Sequence, residues 1–551
     1  MKKHLLLVTL ILLSFVPLID LLQPGLPVTH DGKDHVVRIA NFYQNLTEGN
    51  IIPRWGDNLN WGYGHPVMMF LYPLPSYIAS FFYFLSFSFV DSVKLVFATA
   101  FVASGVTMYL WLKEHFHEQI AFLGGILYLF APYRFVDLYV RGAIGEHVAF
   151  VFPPLVLYFI HRLKVENTLK AFLGASVSLA LLILAHNAVS LMFLPVIAAY
   201  SLFLVYKAQK KKVLFLRLLF IGATGFMLAA FFWIPAFMEG KYTLRDIVIS
   251  TDFSERLFPL SSFIYSPWGF GVNGFFSLQI GIVQLILFSI GVCISVKLLI
   301  DKKQKALISM ITAGMIVITV FLMTTQSLFL WERITLIQKF QFPWRFLTLT
   351  VFLFSFYISL TFSNLRGRAL KFFVICVTLV VILIQLPYMK AKEYVVKDES
   401  FYTSVYAGTT DTGESSPVWS VRFMEEYPKA HLEVIDGIAS INESARTSEK
   451  RVYKVIAEKE TLMRENTLYF PGWGVTVNGQ TVPISYQNQD YRGIMTFTVP
   501  TGENTIEVKF TNTKLRSFSE MISVIGIMML LLLSLFMKSK IFNKRRNFLE
   551  I

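Results

Sequence analysis

The run "VMMFLYPLPSYIASFFYFLSFSFV", residues 67–90, decides how this chain is threaded. It is apolar enough to compete as a membrane span, yet Pro73 and Pro75 interrupt it near its start. Twelve other stretches approach the ~20 mainly apolar residues that a crossing helix needs. They are, approximately, 4–23, 92–112, 118–133, 147–161, 168–185, 187–206, 213–237, 278–300, 306–325, 345–363, 369–388 and 518–537. Suppose 67–90 does not cross and Lys2 and Lys3 lie inside. Then "KEHFHEQ", "HRLKVENTLK", "KAQKKK", "KLLIDKKQK", "NLRGRALK" and the tail "KSKIFNKRR" all fall on the inner face, as the positive-inside rule asks. If it does cross, every later basic loop moves outside. Parity therefore predicts about twelve spans with both termini cytoplasmic, and 67–90 lying on the outer surface or re-entering it under a cover of protein.

Composition agrees. The 551 residues are 55% hydrophobic and 16% charged, against roughly 25% charged in soluble domains. The net charge of +14 sits in short clusters between apolar runs, which suits membrane orientation and speaks against a nucleic-acid partner. Cys293 and Cys376 both lie inside apolar runs and resemble neither a disulfide pair nor metal ligands. The first run lacks a small-x-small cleavage pattern and reads as a retained span.

The pieces expected outside are the first loop, 24–91; "YRFVDLYVRGAIGE" at 133–146; "AHNA" at 185–188; 238–277; 326–344; and 389–517. In the last of these, Asn478-Gly479 lies between alternating segments and signals a type I′ hairpin. The alternation resumes around Thr501–Asn504, so a small β-sandwich is expected, β-rich in 465–515, while 389–460 is polar and carries little signal. The expected organisation is a transmembrane domain, 1–388; an extracytoplasmic module, 389–517; and a last span with a basic tail, 518–551.

Residues able to carry chemistry gather in the outer loops. "HDGKDH" places Asp31 and Asp34 between His30 and His35, a spacing that suits a general base or a hard divalent cation, and equally a solvated loop past a helix end. Arg134, Asp137, Arg141 and Glu146 follow in the next outer loop; the arginines suit either lipid headgroups or a phosphate held bidentately. His186-Asn187 is a polar pair among apolar neighbours, fit for a site or for interhelical hydrogen bonds. "QKFQFPWRF" adds Lys339, Gln341, Trp344 and Arg345 at another boundary, where aromatics and basics also serve as a belt and anchor. Together these describe a concave site for an anionic, lipid-linked substrate.

The first loop, with "APYRFVDLYVRGAIGEHVAF", "AHNAVSLMFLP" and "IQKFQFPWRFL" in that order, resembles the bacterial membrane-protein family labelled 6-pyruvoyl-tetrahydropterin-synthase-related. "LYFPGWGVTVNG" is similar to the ending of multi-span proteins that modify cell-wall sugars. The resemblance covers nearly the whole chain except about 389–460. Nothing in it looks like a soluble pterin synthase with zinc-binding histidines.

The arrangement in turn resembles the GT-C fold of glycosyltransferases, which use polyprenyl-phosphate sugars and carry an acidic motif after the first span. That likeness implies an all-α polytopic protein of the bacterial plasma membrane that moves a sugar from a polyprenyl-phosphate carrier to a surface glycan or protein acceptor, with inversion. It implies Asp31 as general base and Asp34 as its helper. Arg134, Arg141 and Arg345 would then stabilise the departing phosphate, with Asp137, Glu146, His186 and Asn187 also around the substrate. Asp31 and Asp137 would hold a divalent cation (Mg or Mn) if one is used, although Asp137 stands in an aspartate-x-tyrosine sequence where the family has paired acids. A lipid-linked-sugar transporter or flippase, and a non-catalytic glycan-binding protein, are the rival readings. The spans are nearly charge-free at their centres and show no paired half-repeats, which counts against transport.

Overall fold

The computed structural model describes residues 4–546 apart from 167, 250–252, 271–275 and 304. Lys2, Lys3 and parts of the 238–277 loop lie outside the described residues. Among the described residues eight helices are long and apolar enough to cross a membrane: Leu5–Leu22, Phe89–Lys113, Ile144–Glu166, Asn187–Tyr206, Ile282–Ile300, Pro343–Phe362, Gly367–Tyr388 and Lys514–Leu535. Counting each of two bent pairs as one span raises the number to ten. Leu169–Ala185 and Lys305–Phe321 are apolar but only 17 residues each. At 1.5 Å per residue they reach about 26 Å, short of a ~30 Å hydrocarbon core. All twelve expected segments form apolar helix, then, while length and composition carry the count of spans to ten.

Both bends have identifiable causes. Glu118–Leu129 meets Pro132–Arg141 at 48° where Pro132 cannot continue the ladder. Lys211–Leu228 meets Ala230–Met238 at 73°. There the Ser523 hydroxyl of the last helix accepts from Phe231 N (2.9 Å) and donates to Met227 O (3.0 Å), standing inside the bond those two residues would otherwise share.

Residues 67–90 contain no spanning helix. Val67–Met69 is a single turn, and Leu74–Phe84 has 11 residues, about 16 Å. Pro75 falls in the first turn of that helix, where it breaks no hydrogen bond.

The bundle has two distinct ends. At one, Glu114 pairs with Arg162 (3.3 Å), His115 bonds Tyr200 (2.9 Å) and Lys305 bonds Ser363 (3.0 Å), so the basic loops meet there. At the other, strand β1 (Leu26–Pro27) pairs with β2 (Tyr394–Val395), and His30 N donates to Val140 O at 3.0 Å. The segments expected outside gather at this second end.

The β-region also stands there. Its remaining strands are β3 Leu432–Asp436, β4 Ala439–Arg446, β5 Lys450–Ala457, β6 Thr461–Leu468, β7 Trp473–Val477, β8 Gln480–Val482, β9 Ile494–Val499 and β10 Gly502–Phe510. They form antiparallel sheets of order β4-β5-β10-β7-β8 and β3-β6-β9. Strand structure thus begins at Leu432, well before residue 465. Asn478 (φ 51°) and Gly479 (φ 80°) make the tight turn between β7 and β8, as the Asn-Gly pair predicts. The turn at Thr501 instead carries the chain from one sheet to the other.

Alternating residues such as Val455, Val475 and Ile506 from one sheet and Met463 and Phe497 from the other fill the core, which also takes in Trp55, Met69 and Phe70 of the first loop. Beside it Asp57 receives two hydrogen bonds from Arg446 (3.2 Å each) and one from Arg451, whose Nε lies 3.3 Å from Glu465 and whose guanidinium stacks on Trp473.

Candidate functional site

Asp31 is the residue from which the site grows. It caps helix Gly32–Thr47, its own N–H donating to Arg141 O (2.9 Å). The close approach depends on Gly142, which has φ +66°; a Cβ there would sit 2.3 Å from Thr29 Oγ1. Among the described residues the Asp31 carboxylate makes no hydrogen bond or ion pair, and it is open to water. Protein nevertheless surrounds it on most sides. That enclosure pushes its carboxyl above the usual aspartate range, against the opposing pull of Arg141 and His30.

One helical turn on, Tyr406 donates to Asp34 Oδ1 at 2.6 Å and Lys33 lies over the Tyr406 ring. Arg38, on the buried face of the same helix, bonds His35 Nδ1 (3.2 Å), Thr410 Oγ1 (3.1 Å) and Thr410 O, and among the described residues forms no ion pair with a carboxylate. Burial and the Arg38 charge hold His35 well below the usual histidine range, so its imidazole stays neutral.

Behind this helix lies a buried polar cluster. The chain widens into a π-helical turn over Val136–Arg141. Arg141 donates to Asp137 Oδ1 (2.8 Å), Tyr133 Oη (2.8 Å) and Glu146 Oε2, and Tyr133 donates to the same Glu146 oxygen at 2.9 Å. Arg345 Nε stands 3.3 Å from the other Glu146 oxygen. The remaining Arg345 bonds go from Nη1 to Phe340 O and Gln341 Oε1, leaving Nη2 without a partner among the described residues. Gln341 in turn donates to Glu414 Oε2 at 2.9 Å. Tyr72 stacks on His186 with ring centres 4.8 Å apart, within electrostatic reach of Arg38, Asp31, Arg345 and Glu146; burial pushes its hydroxyl up to about 12.

Residues 404–416 run as a strap along this face. Tyr406 N donates to Asn58 O (2.7 Å), Asn60 N to Gly408 O (2.8 Å) and Trp61 N to Tyr406 O (2.9 Å). Four non-glycine residues along it hold left-handed backbone: Asn60 (φ 54°), Trp61 (φ 63°), Gln341 (φ 65°) and Thr410 (φ 64°). Each such residue costs on the order of 1–3 kcal/mol and survives only where its surroundings enforce it. Two of the four, Gln341 and Thr410, are the residues that hold Arg345 and Arg38.

Asp31, Asp34, Arg141, Glu146, His186 and Arg345 are thus brought to one region. Arg134 is not. It is fully buried against the Phe150 ring at 3.9 Å with a bond to Ser104 (2.9 Å), in an aromatic box behind the cluster. Asn187 donates to Phe70 O at 2.9 Å and serves the loop backbone. Asp137 is buried and held by Arg141, and among the described residues no group of three or more His, Cys, Asp or Glu is arranged to hold a metal ion. The Asp137 carboxylate is thus taken up by Arg141 inside the cluster, while that of Asp31 stands open to water.

Sequence reasoning overlooked Arg38, Tyr72, Tyr406, Thr410 and Glu414. Arg38 had a signal, since Asp31, Asp34 or His35, and Arg38 recur at helical spacing. The strap residues had none, because their partners lie more than 70 positions away.

Fold and site define a multi-span membrane protein that carries a β-sandwich at the end where its polar loops converge. Residues 69–391 match the 6-pyruvoyl-tetrahydropterin synthase related domain, described as a membrane protein, and the chain belongs to that family. The matched stretch takes in Tyr72, Arg141, Glu146, His186 and Arg345 but not Asp31, Arg38 or the strap. The chain is also 26% identical over 236 residues to an uncharacterised protein of Lactococcus lactis subsp. cremoris. That alignment covers 41% of this chain and 38% of the relative, so the chain spans well under half of the relative's length.

Proposed function

We propose that this protein is a membrane glycosyltransferase that moves a sugar from a polyprenyl-phosphate carrier to an acceptor outside the cell, with twelve crossings and the basic loops and both termini on the cytoplasmic side of the plasma membrane. The observation that carries the reading is Asp31: a carboxylate without a bonded partner, open to water, standing beside a cluster of arginines at the bundle end. In the transfer, Asp31 takes the proton of an acceptor hydroxyl while that oxygen bonds the anomeric carbon. The carbon–oxygen bond to phosphate breaks, and its electron pair leaves with the polyprenyl phosphate. Asp34, tied to Tyr406, steadies the helix end from which Asp31 projects.

The geometry favours a different set of arginines for the leaving phosphate than sequence suggests. Arg141 is committed to two carboxylates and Arg134 is boxed in by aromatic rings. Among the described residues Arg345 keeps a nitrogen without a partner and Arg38 has no ion pair, so these two take the role, with the Tyr72 hydroxyl, within electrostatic reach of both, as a neutral donor. Loss of one such donor costs about 10²–10³ in rate elsewhere.

The test uses the full chain in nanodiscs, offered short-chain polyprenyl-phosphate sugars and crude surface glycan, with released polyprenyl phosphate followed by mass spectrometry. Release by the wild type that disappears in Asp31→Asn supports the reading. No release from any donor by well-folded protein overturns it and favours transport or binding.

A further inference from the structure

The pair His115 and His161 is satisfied by Tyr200, and the Asp57 cluster is closed on itself. The aromatic group around Trp419 is different, because its members are half-buried at the edge of the β-region and face an exposed polar loop. Tyr469 and Tyr486 stack at 3.7 Å with nearly parallel planes (7°). Trp419 meets both edge-on, at 5.5 and 5.2 Å, and lies flat toward Tyr242 at 5.8 Å.

The backbone holds this group firmly. Tyr469 N donates to Gly493 O, Gly493 N to Tyr486 O (3.0 Å), and Val418 N to Tyr242 O (3.0 Å). Gly493 has φ +78°, and a Cβ on it would press 2.6 Å from the Ser420 side chain. Beside the rings runs Gln487-Asn488-Gln489-Asp490, all exposed, shaped by an Asp490 N to Asn488 Oδ1 bond of 2.9 Å. Among the described residues Gln487 and Gln489 have no partner, and neither does the indole N–H of Trp419.

We propose that Trp419, Tyr469, Tyr486 and Tyr242, with the 487–490 loop, form a saccharide-binding subsite that receives the acceptor glycan. A pyranose ring presents a face of C–H groups with slight positive charge, which suits the negative face of an aromatic ring. Its hydroxyls need planar donors and acceptors around that face, and Gln, Asn and Asp supply both. A purely apolar partner would leave those amides unpaired, which is costly.

The placement follows from the strap. Thr410 bonds Arg38 at the candidate site, and nine residues later in the same segment Trp419 stands among the rings. A fully extended run of that length spans at most about 30 Å, the reach of a short oligosaccharide. The rings therefore lie within an oligosaccharide's reach of Thr410 and the candidate site. This assignment rests on the proposed transferase reading and names its acceptor class.

The experiment is isothermal titration calorimetry on the full chain in nanodiscs, without any lipid-linked donor. The probes are a hexamer of β-linked N-acetylglucosamine and a hexamer of glucose. Saturable binding of either by the wild type is expected, at least ten-fold weaker in Trp419→Ala and Tyr486→Ala. Gln487→Ala/Gln489→Ala, whose side chains are exposed and free, is expected to weaken binding a few-fold with unchanged thermal unfolding, which separates recognition from folding. Asp31→Asn should bind as the wild type does. Absence of binding to both probes, or equal binding by all variants, overturns the subsite. Since no donor is present, that failure leaves the transfer reading to its own assay, and a failed transfer assay leaves this binding result standing.

Discussion

This protein holds two buried clusters of arginine and carboxylate, and they are built to different ends. At the junction of the first loop and the β-region, Asp57, Arg446, Arg451 and Glu465 pair among themselves and close off under Trp473. At the bundle end, Asp137, Arg141, Glu146 and Arg345 pair just as tightly, but the cluster opens forward onto Asp31, Arg38 and Tyr72. A buried ion pair alone therefore does not mark a site. What separates the two is the Asp31 carboxylate beside the second, which among the described residues has no bonded partner and stands open to water.

The contrast can be broken by mutation. The largest effect is expected at the closed cluster: Asp57→Ala strands two arginines and should lower stability by about 3–5 kcal/mol, read as a drop in thermal unfolding temperature. At the open cluster the change that matters is Asp31→Asn. It should cut transfer about 10²–10⁴-fold, the range for a lost general base, yet leave the unfolding temperature unchanged or higher. The sign follows from linkage: enclosure raises the folded-state pKa of Asp31 above its unfolded value, so its ionisation opposes folding once the pH passes the unfolded value, and asparagine removes that opposition.

Arg345→Lys should next lower transfer about 10²-fold with little change in unfolding, because a lysine keeps the charge but loses the fork. The smallest effect concerns Glu449, at the module junction near Arg54 and Arg516, whose carboxyl burial lifts to about 7. Between pH 4.5 and 7 the folded state holds this proton longer than the unfolded chain does, so stability falls as pH rises through that window. Glu449→Gln should flatten that slope in unfolding measured across the pH range. A slope that persists in the variant would shift the effect to Asp31 or Glu414, both also raised by burial.

Sequence made the helices legible because membrane-length apolar runs are a strong signal, and the reading of 67–90 as non-crossing matches its short helix. It was weaker for β3 to β5. In "ASINESAR" of β4 an edge strand exposes most of its residues, so no alternation of polar and apolar survives to be seen. The bend at Ala229 was invisible because its cause, Ser523, comes from a distant helix. Asp31, Glu146 and Arg345 stood out as charges at apolar boundaries. The reasons Arg134 and Arg345 differ, an aromatic box for one and an open nitrogen for the other, exist only in three dimensions.

The strap has a consequence for how this protein can be taken apart. It leaves the membrane bundle after Met389, lends Tyr406, Thr410 and Glu414 to the chemistry near Asp31, and only then enters the sandwich. The sandwich is thus no cassette. A chimera joined at the end of the family match, residue 391, would carry half of each partner's site, whereas a junction placed beyond residue 424 would keep the strap with the bundle that its bonds serve. Any exchange of the sandwich between such proteins has to cut after the strap.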